Sequence, residues 1–98
     1  MGWAAAQQLA RSWKDDPATL KILKERATND RYDDVREAAM VELARNWRDD
    51  PDTVKILKER ATSDEQEHVR KGAVQELLRG WSEDIDVTDW LARIGNIR

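Results

Sequence analysis

Three kinds of residue in this chain could carry chemistry: adjacent acids, a lone histidine, and arginines and tryptophans that recur at one spacing. The acid pairs are Asp15-Asp16, Asp49-Asp50 and Glu83-Asp84. Paired carboxylates can ligate a divalent cation or share general acid and base work. A calcium loop needs oxygen ligands at alternate positions around a glycine bend, and none follows these pairs. Each pair instead precedes a helical stretch, two of them through Pro17 and Pro51. They read as N-caps that accept orphan backbone N–H groups and favour the helix dipole. His68 is the only histidine, with no second ligand or nucleophile at a readable spacing, and reads as a solvated turn residue. The four glycines, Gly2, Gly72, Gly80 and Gly95, form no phosphate loop. Without cysteine there is no disulfide, zinc–thiolate site or thiol nucleophile. No catalytic, cofactor-binding or metal-ligating residue is assigned, and no enzymatic activity is expected.

Trp13, Trp47 and Trp81 stand 34 residues apart. A ladder of tryptophans could stack nucleic-acid bases, but such binders set aromatics in a basic groove. This chain carries a net charge of −3 with signs interspersed, so the ladder reads as packing between units and nucleic acid is disfavoured. Trp3 and Trp90 fall outside it and read as end-capping residues or contacts for a neighbour. Arg36 and Arg70 lie on the apolar side of their helical wheel. Arg11, Arg45 and Arg79 recur on the opposite arc, with Gln8, Glu42, Glu76, Gln7, Val41 and Gln75 beside them. Together these nine form a candidate binding strip, since solenoids bind partners through stacked surfaces of this kind. The competing view is a solvated face held by pairs such as Glu42 with Arg45.

The elements that position these residues follow from the repeat. Residues 4–37 and 38–71 share 21 identities in 34, whereas 38–64 and 72–98 share 8 in 27. A fixed period of this size marks a repeat array, and the weakening marks a terminal cap, for which a more polar outer face is expected. Units fall near 1–30, 31–64 and 65–98. After DDP a short outer helix places Val54, Leu57 and Ala61 on one face, with Ile56 to one side; Leu20, Leu23, Ala27 and Ile22 repeat this. Acid-rich turns at Asn29–Asp34 and Ser63–His68 lead into a longer inner helix. Its stripe is Val35, Ala39, Leu43 and Trp47, extended by Met40, then Val69, Ala73, Leu77 and Trp81. Asp84 or Asp86 starts a last helix and Gly95 is a plausible stop.

A 34-residue period suggests tetratricopeptide units, but that pattern needs Trp followed by Leu-Gly, and here Leu43 precedes Trp47. The run Asp33-Asp34-Val35-Arg36, then Ala38-Ala39 and Leu43, resembles the HEAT repeat. His68-Val69-Arg70, then Gly72-Ala73 and Leu77, resembles it again, with His68 in place of the usual acid and Gly72 in place of the first alanine. The resemblance covers the second and third units and implies an all-α, right-handed solenoid of stacked antiparallel helix pairs. It also implies that Arg36 and Arg70 bond turn acids or carbonyls of adjacent units, with Asp30, Asp33, Asp34 or Asp64 as partners. The period is shorter than usual for the family. The wording from Arg45 to Asp64 is similar to the HEAT arrays carried C-terminally by bacterial and cyanobacterial NACHT-type NTPases.

High charge, 38% of residues, and few aromatics leave a core built from Leu, Ile, Val, Ala and Trp. No apolar run approaches a membrane span and no signal pattern opens the chain; no membrane partner and a cytoplasmic location are expected. The function expected is a scaffold for protein–protein interaction or ligand sensing, within a larger signalling NTPase if the narrower resemblance holds. The alternatives are a purely structural or artificial repeat array without a natural ligand and, behind it, a nucleic-acid-binding HEAT module. Self-association through exposed terminal helices is a further expected contact, because an uncovered apolar stripe costs about 25 cal/mol per Å².

Overall fold

The computed structural model describes residues 16–97, with side chains described up to residue 95. Trp3, Gln7, Gln8, Arg11, Trp13 and Asp15 lie outside the described residues. Within them the chain is helical, with no strand: α1 (Pro17–Asn29), α2 (Asp33–Asn46), α3 (Pro51–Ser63), α4 (Glu67–Gly80) and α5 (Ile85–Ile97). Helices α1 and α3, expected as short outer helices, have 13 residues, and α2 and α4, expected as longer inner ones, have 14, so the two kinds are nearly equal in length.

Local chemistry sets each boundary. Asp16 and Asp50 accept N–H groups from Ala18 and Asp52, both at 2.9 Å, and Pro17 and Pro51 take the first helical position. Asp84 does the same for α5, accepting from the Val87 N–H at 3.2 Å. Asp30 and Asp64 each serve two helices. Their backbone N–H groups close α1 and α3 on the carbonyls of Arg26 and Arg60, while their carboxylates accept from Tyr32 and Gln66 at 2.9 and 3.0 Å. That turn reverses the chain within residues 30–32 and 64–66, so the connections are shorter than the expected Asn29–Asp34 and Ser63–His68. Asp33, Asp34 and Glu67 thereby fall in the first helical turn, where negative charge suits the helix dipole. Gly95 does not stop α5. The helix runs on to Ile97, and among the described residues no glycine takes the left-handed conformation such a stop uses.

The core follows the two stripes. Ala39, Met40, Leu43 and Ala44 of α2 pack with Val69, Ala73 and Leu77 of α4 and with Trp81 at its end; Ala27, Ile56, Leu57, Ala61 and Val87 come from α1, α3 and α5. Thr53, absent from the apolar pattern, is fully buried because its hydroxyl donates to the Trp47 carbonyl at 2.7 Å. Truncating Leu57 to Ala would cost roughly 2–5 kcal/mol, the range for a buried leucine. Helices α1 and α2 pack together, as do α3 and α4; α2 also lies against α4, and α1 against α3.

The expected polar terminal cap is not what the last unit shows. Leu78 is 53% exposed and Ile85 81% exposed, and Ala92 and Ile94 occupy positions held by Lys58 and Arg60 one period earlier. The final pair is more apolar on its outer side than the pair before it.

Candidate functional site

The strip expected from the sequence is partly assembled. Arg45 on α2 and Arg79 on α4 are exposed and converge on one carboxylate, that of Glu76. Arg79 Nη2 lies 2.8 Å from Glu76 Oε1, and Arg45 Nη2 lies 3.5 Å from Oε2. Glu76 itself is buried, which corrects its placement on the exposed arc. The reason is the neighbour: α4 lies against α2, so the part of its polar arc turned toward α2 is covered. Glu42 remains exposed and accepts from Asn46 Nδ2 at 2.6 Å, and Gln75 is exposed. Val41, expected at the surface, is half-buried against the core. The described part of the strip is a charge-neutralised edge with hydrogen-bonding groups at its rim. Gln7, Gln8 and Arg11 fall outside the described residues.

The most elaborate polar cluster lies between the helix pairs. Arg36 meets Asp64, 28 positions on, with Nε 2.9 Å from Oδ2 and Nη2 3.0 Å from Oδ1, while Nη1 donates to the Asp30 carbonyl at 2.8 Å. Arg60 Nη1 adds a third contact to Asp64 Oδ2 at 3.1 Å. The Asp64 side chain is fully buried and those of Arg36 and Arg60 nearly so. Burial pushes the Asp64 carboxyl up, but the Arg36 guanidinium, the Gln66 N–H and Arg60 outweigh it and hold it below the usual range. The same contacts, led by Asp64, raise Arg36. Arg70 repeats part of the pattern one period on, donating through Nη1 to the Asp64 carbonyl. Arg60 Nε is buried without a partner. A second link joins Lys24 to Asp50 and to Asp52, the latter again 28 positions on, both at 3.0 Å.

His68 is solvent-exposed, as its position suggested, but it is helical and paired. It sits in the first turn of α4 with each ring nitrogen on a carboxylate of α2: Nε2 on Asp33 and Nδ1 on Glu37, the latter at 3.2 Å. An imidazole facing two carboxylates donates from both nitrogens only when protonated. The bond to Asp33 leads the rise in the His68 pKa, slight burial opposes it, and Glu37 adds to it; Asp33 is correspondingly lowered. Glu37 reaches across because residue 72 is glycine. A Cβ there would stand 2.8 Å from Glu37 Oε2 and 3.5 Å from the Met40 methyl. The signal was present in the sequence: His68 and Gly72 both depart from the preceding unit, four residues apart on one helix face.

Trp47, Trp81 and Trp90 act as packing groups. Trp47 and Trp81 close α2 and α4, bonding back to Leu43 and Leu77, both at 2.9 Å. Trp47 is half-buried and Trp81 buried. The Arg48 guanidinium lies 5.6 Å from the Trp81 ring centre, and Lys58 lies 5.5 Å from that of Trp90. Among the described residues no three His, Cys, Asp or Glu side chains are grouped to hold a metal ion, and no helix is long and apolar enough to cross a membrane. Trp3 and Trp13 fall outside the described residues. No protein-family model, curated protein or solved structure gives a match to this chain.

Proposed function

We propose that the chain is a HEAT-type repeat scaffold, a right-handed α-solenoid without catalysis of its own, that presents the Arg45–Glu76–Arg79 edge to a protein partner. The observation that carries this reading is the recurring arginine contact. Arg36 and Arg70 each donate to the carbonyl six residues upstream, and Arg36 also grips the carboxylate of the next turn. Charge-assisted side-on pairing of this kind fixes one turn against another. It supports a protein whose recurring polar contacts hold neighbouring pairs in register, leaving surface side chains to bind.

The edge suits a protein partner because its charge is balanced and its guanidiniums are anchored at one end. An arginine already oriented by Glu76 loses less freedom when a partner's carbonyl or carboxylate meets it. The competing spacer reading rests on the same pairing, which leaves the edge with little net charge. Affinity capture from the source cells distinguishes them, using the native chain and Arg45→Glu/Arg79→Glu. A scaffold retains a specific protein that the variant loses. Equal recovery by both overturns the assignment of the edge, and no specific capture by either favours the spacer.

A further inference from the structure

We propose that Glu37 is a proton-operated cover over the α2–α4 seam at Gly72, held shut by the imidazolium of His68 and released when that proton leaves. The seam has room for a cover because residue 72 carries no side chain. The point where a Cβ on Gly72 would stand is 2.8 Å from Glu37 Oε2 and 3.5 Å from the Met40 methyl. The carboxylate therefore lies in the space a side chain would fill, next to a methyl of the core. What keeps it there is His68 Nδ1, 3.2 Å from Glu37 Oε1, while Nε2 holds Asp33. Asp34 and Ala38 stand at the positions of His68 and Gly72 one period earlier, so the histidine and the glycine arrive together in this unit.

Both contacts need the doubly protonated ring. A neutral imidazole donates from one nitrogen and presents a lone pair at the other. Asp33 does more than Glu37 to hold the proton, and 3.2 Å is long for a charge-assisted bond. The remaining N–H therefore stays on Asp33, and the Nδ1 lone pair faces the Glu37 carboxylate. Their repulsion turns Glu37 out to solvent and uncovers the Gly72 backbone and the Met40 methyl. No nearby cation replaces the lost one. Lys71 and Glu67, beside the ring on α4, pair with each other at 3.3 Å. Arg36, which feels the Asp33 charge, and Arg60 of α3 are committed to Asp64. Asp34 and Glu65 add only negative charge at this end, and among the described residues no group of α3 or α5 forms an ion pair with the ring. The cover thus opens as pH rises through the His68 value, which lies above 6.5. This inference does not rest on the Arg45–Arg79 edge, so the two fail separately.

Solvent paramagnetic relaxation enhancement tests it on the full chain, with a neutral gadolinium chelate as probe. The Met40 methyl and the Gly72 α-proton are followed from about pH 5 to about pH 9, which spans the titration of a histidine. Their enhancement should rise by up to about fivefold, the most an exposed ion pair supports, with the same midpoint as the His68 ring protons. His68→Gln should show no step. Glu37→Ala should be uncovered at every pH, and Glu37→Gln, whose amide can donate to a neutral Nδ1, should stay covered at both limits. The methyls of Leu57, fully buried, serve as the control. Met40 and Gly72 signals that stay constant while His68 titrates overturn the inference, as does a step that survives in His68→Gln. A parallel rise at Leu57 also overturns it, because that is loosening of the whole fold rather than movement of one side chain.

Discussion

Replacing Asp64 by alanine should be far more damaging than the same change at Asp30, although both residues occupy the same place in their units. Each carboxylate accepts the N–H two residues on, from Tyr32 or Gln66. Losing that cap alone costs typically about 1 kcal/mol. Asp64 also receives two guanidiniums at 2.9–3.1 Å, with its side chain fully buried. Removing one partner of a buried ion pair costs about 3–5 kcal/mol, because the charges left behind lose their counter-ion. The Arg36 and Arg60 side chains keep 11% and 12% of their surface, enough for water to recover part of that cost. The lower end, about 3 kcal/mol, is therefore expected, a large share of the roughly 5–15 kcal/mol that holds a domain together. At about 4–8 °C per kcal/mol this is a fall in Tm of about 12–24 °C for Asp64→Ala, against about 4–8 °C for Asp30→Ala. Urea unfolding with matched m-values measures the two differences at one temperature. Equal losses at the two positions would refute the assignment of Arg36 and Arg60 to the Asp64 carboxylate.

Arg36→Ala should lower Tm by several degrees, less than Asp64→Ala, because Arg60 and the Gln66 N–H stay on the carboxylate; an unchanged Tm would contradict the pairing. His68 should titrate above its ordinary 6.5 in a proton NMR titration, and a value at or below 6.5 would remove the two-carboxylate contact. Its folded pKa is raised, so its contribution to stability is complete below 6.5 and fades as pH rises through the folded value. Asp33 is depressed from 3.8, so its share is present above 3.8 and lost as pH falls through the folded value. The Tm difference between the native chain and His68→Gln should therefore peak between those limits and shrink in alkali. Gly72→Ala gains about 0.5–1 kcal/mol of helix preference but displaces the Glu37 carboxylate, so the His68 pKa should drop in that variant. An unchanged pKa would mean that Glu37 does not depend on the glycine.

Much of the helical layout is written in short-range chemistry. Asp50-Pro51 starts α3, and the alternation of two apolar stripes separates the outer helices from the inner ones, because capping and amphipathicity act within one helix. The arginine contacts were reachable as well, since a charged residue on the apolar side of a wheel must find a partner. What a wheel does not contain is the angle at which a neighbouring helix lies. Glu76 and Glu42 occupy equivalent positions, yet one is buried beside α2 and the other is exposed. Thr53 entered the core through one hydroxyl bond to Trp47, which no hydropathy pattern registers. The His68 contact depends on Glu37, 31 residues away, and on the absent side chain of Gly72. The apolar outer side of α4 and α5 was legible residue by residue, but reading the divergence as a polar cap hid it.

The central claim is that one helix pair lies directly on the next through α2 and α4. Its most direct test is the nuclear Overhauser contact between the Met40 methyl and the Gly72 α-proton in methyl-labelled protein. The methyl carbon lies 3.5 Å from where a Cβ on Gly72 would stand, so a strong cross-peak is expected between residues 32 apart in sequence. A Met40 methyl with contacts only to α1, α2 and α3, and none to Gly72, would contradict the stacking on which the proposed scaffold depends.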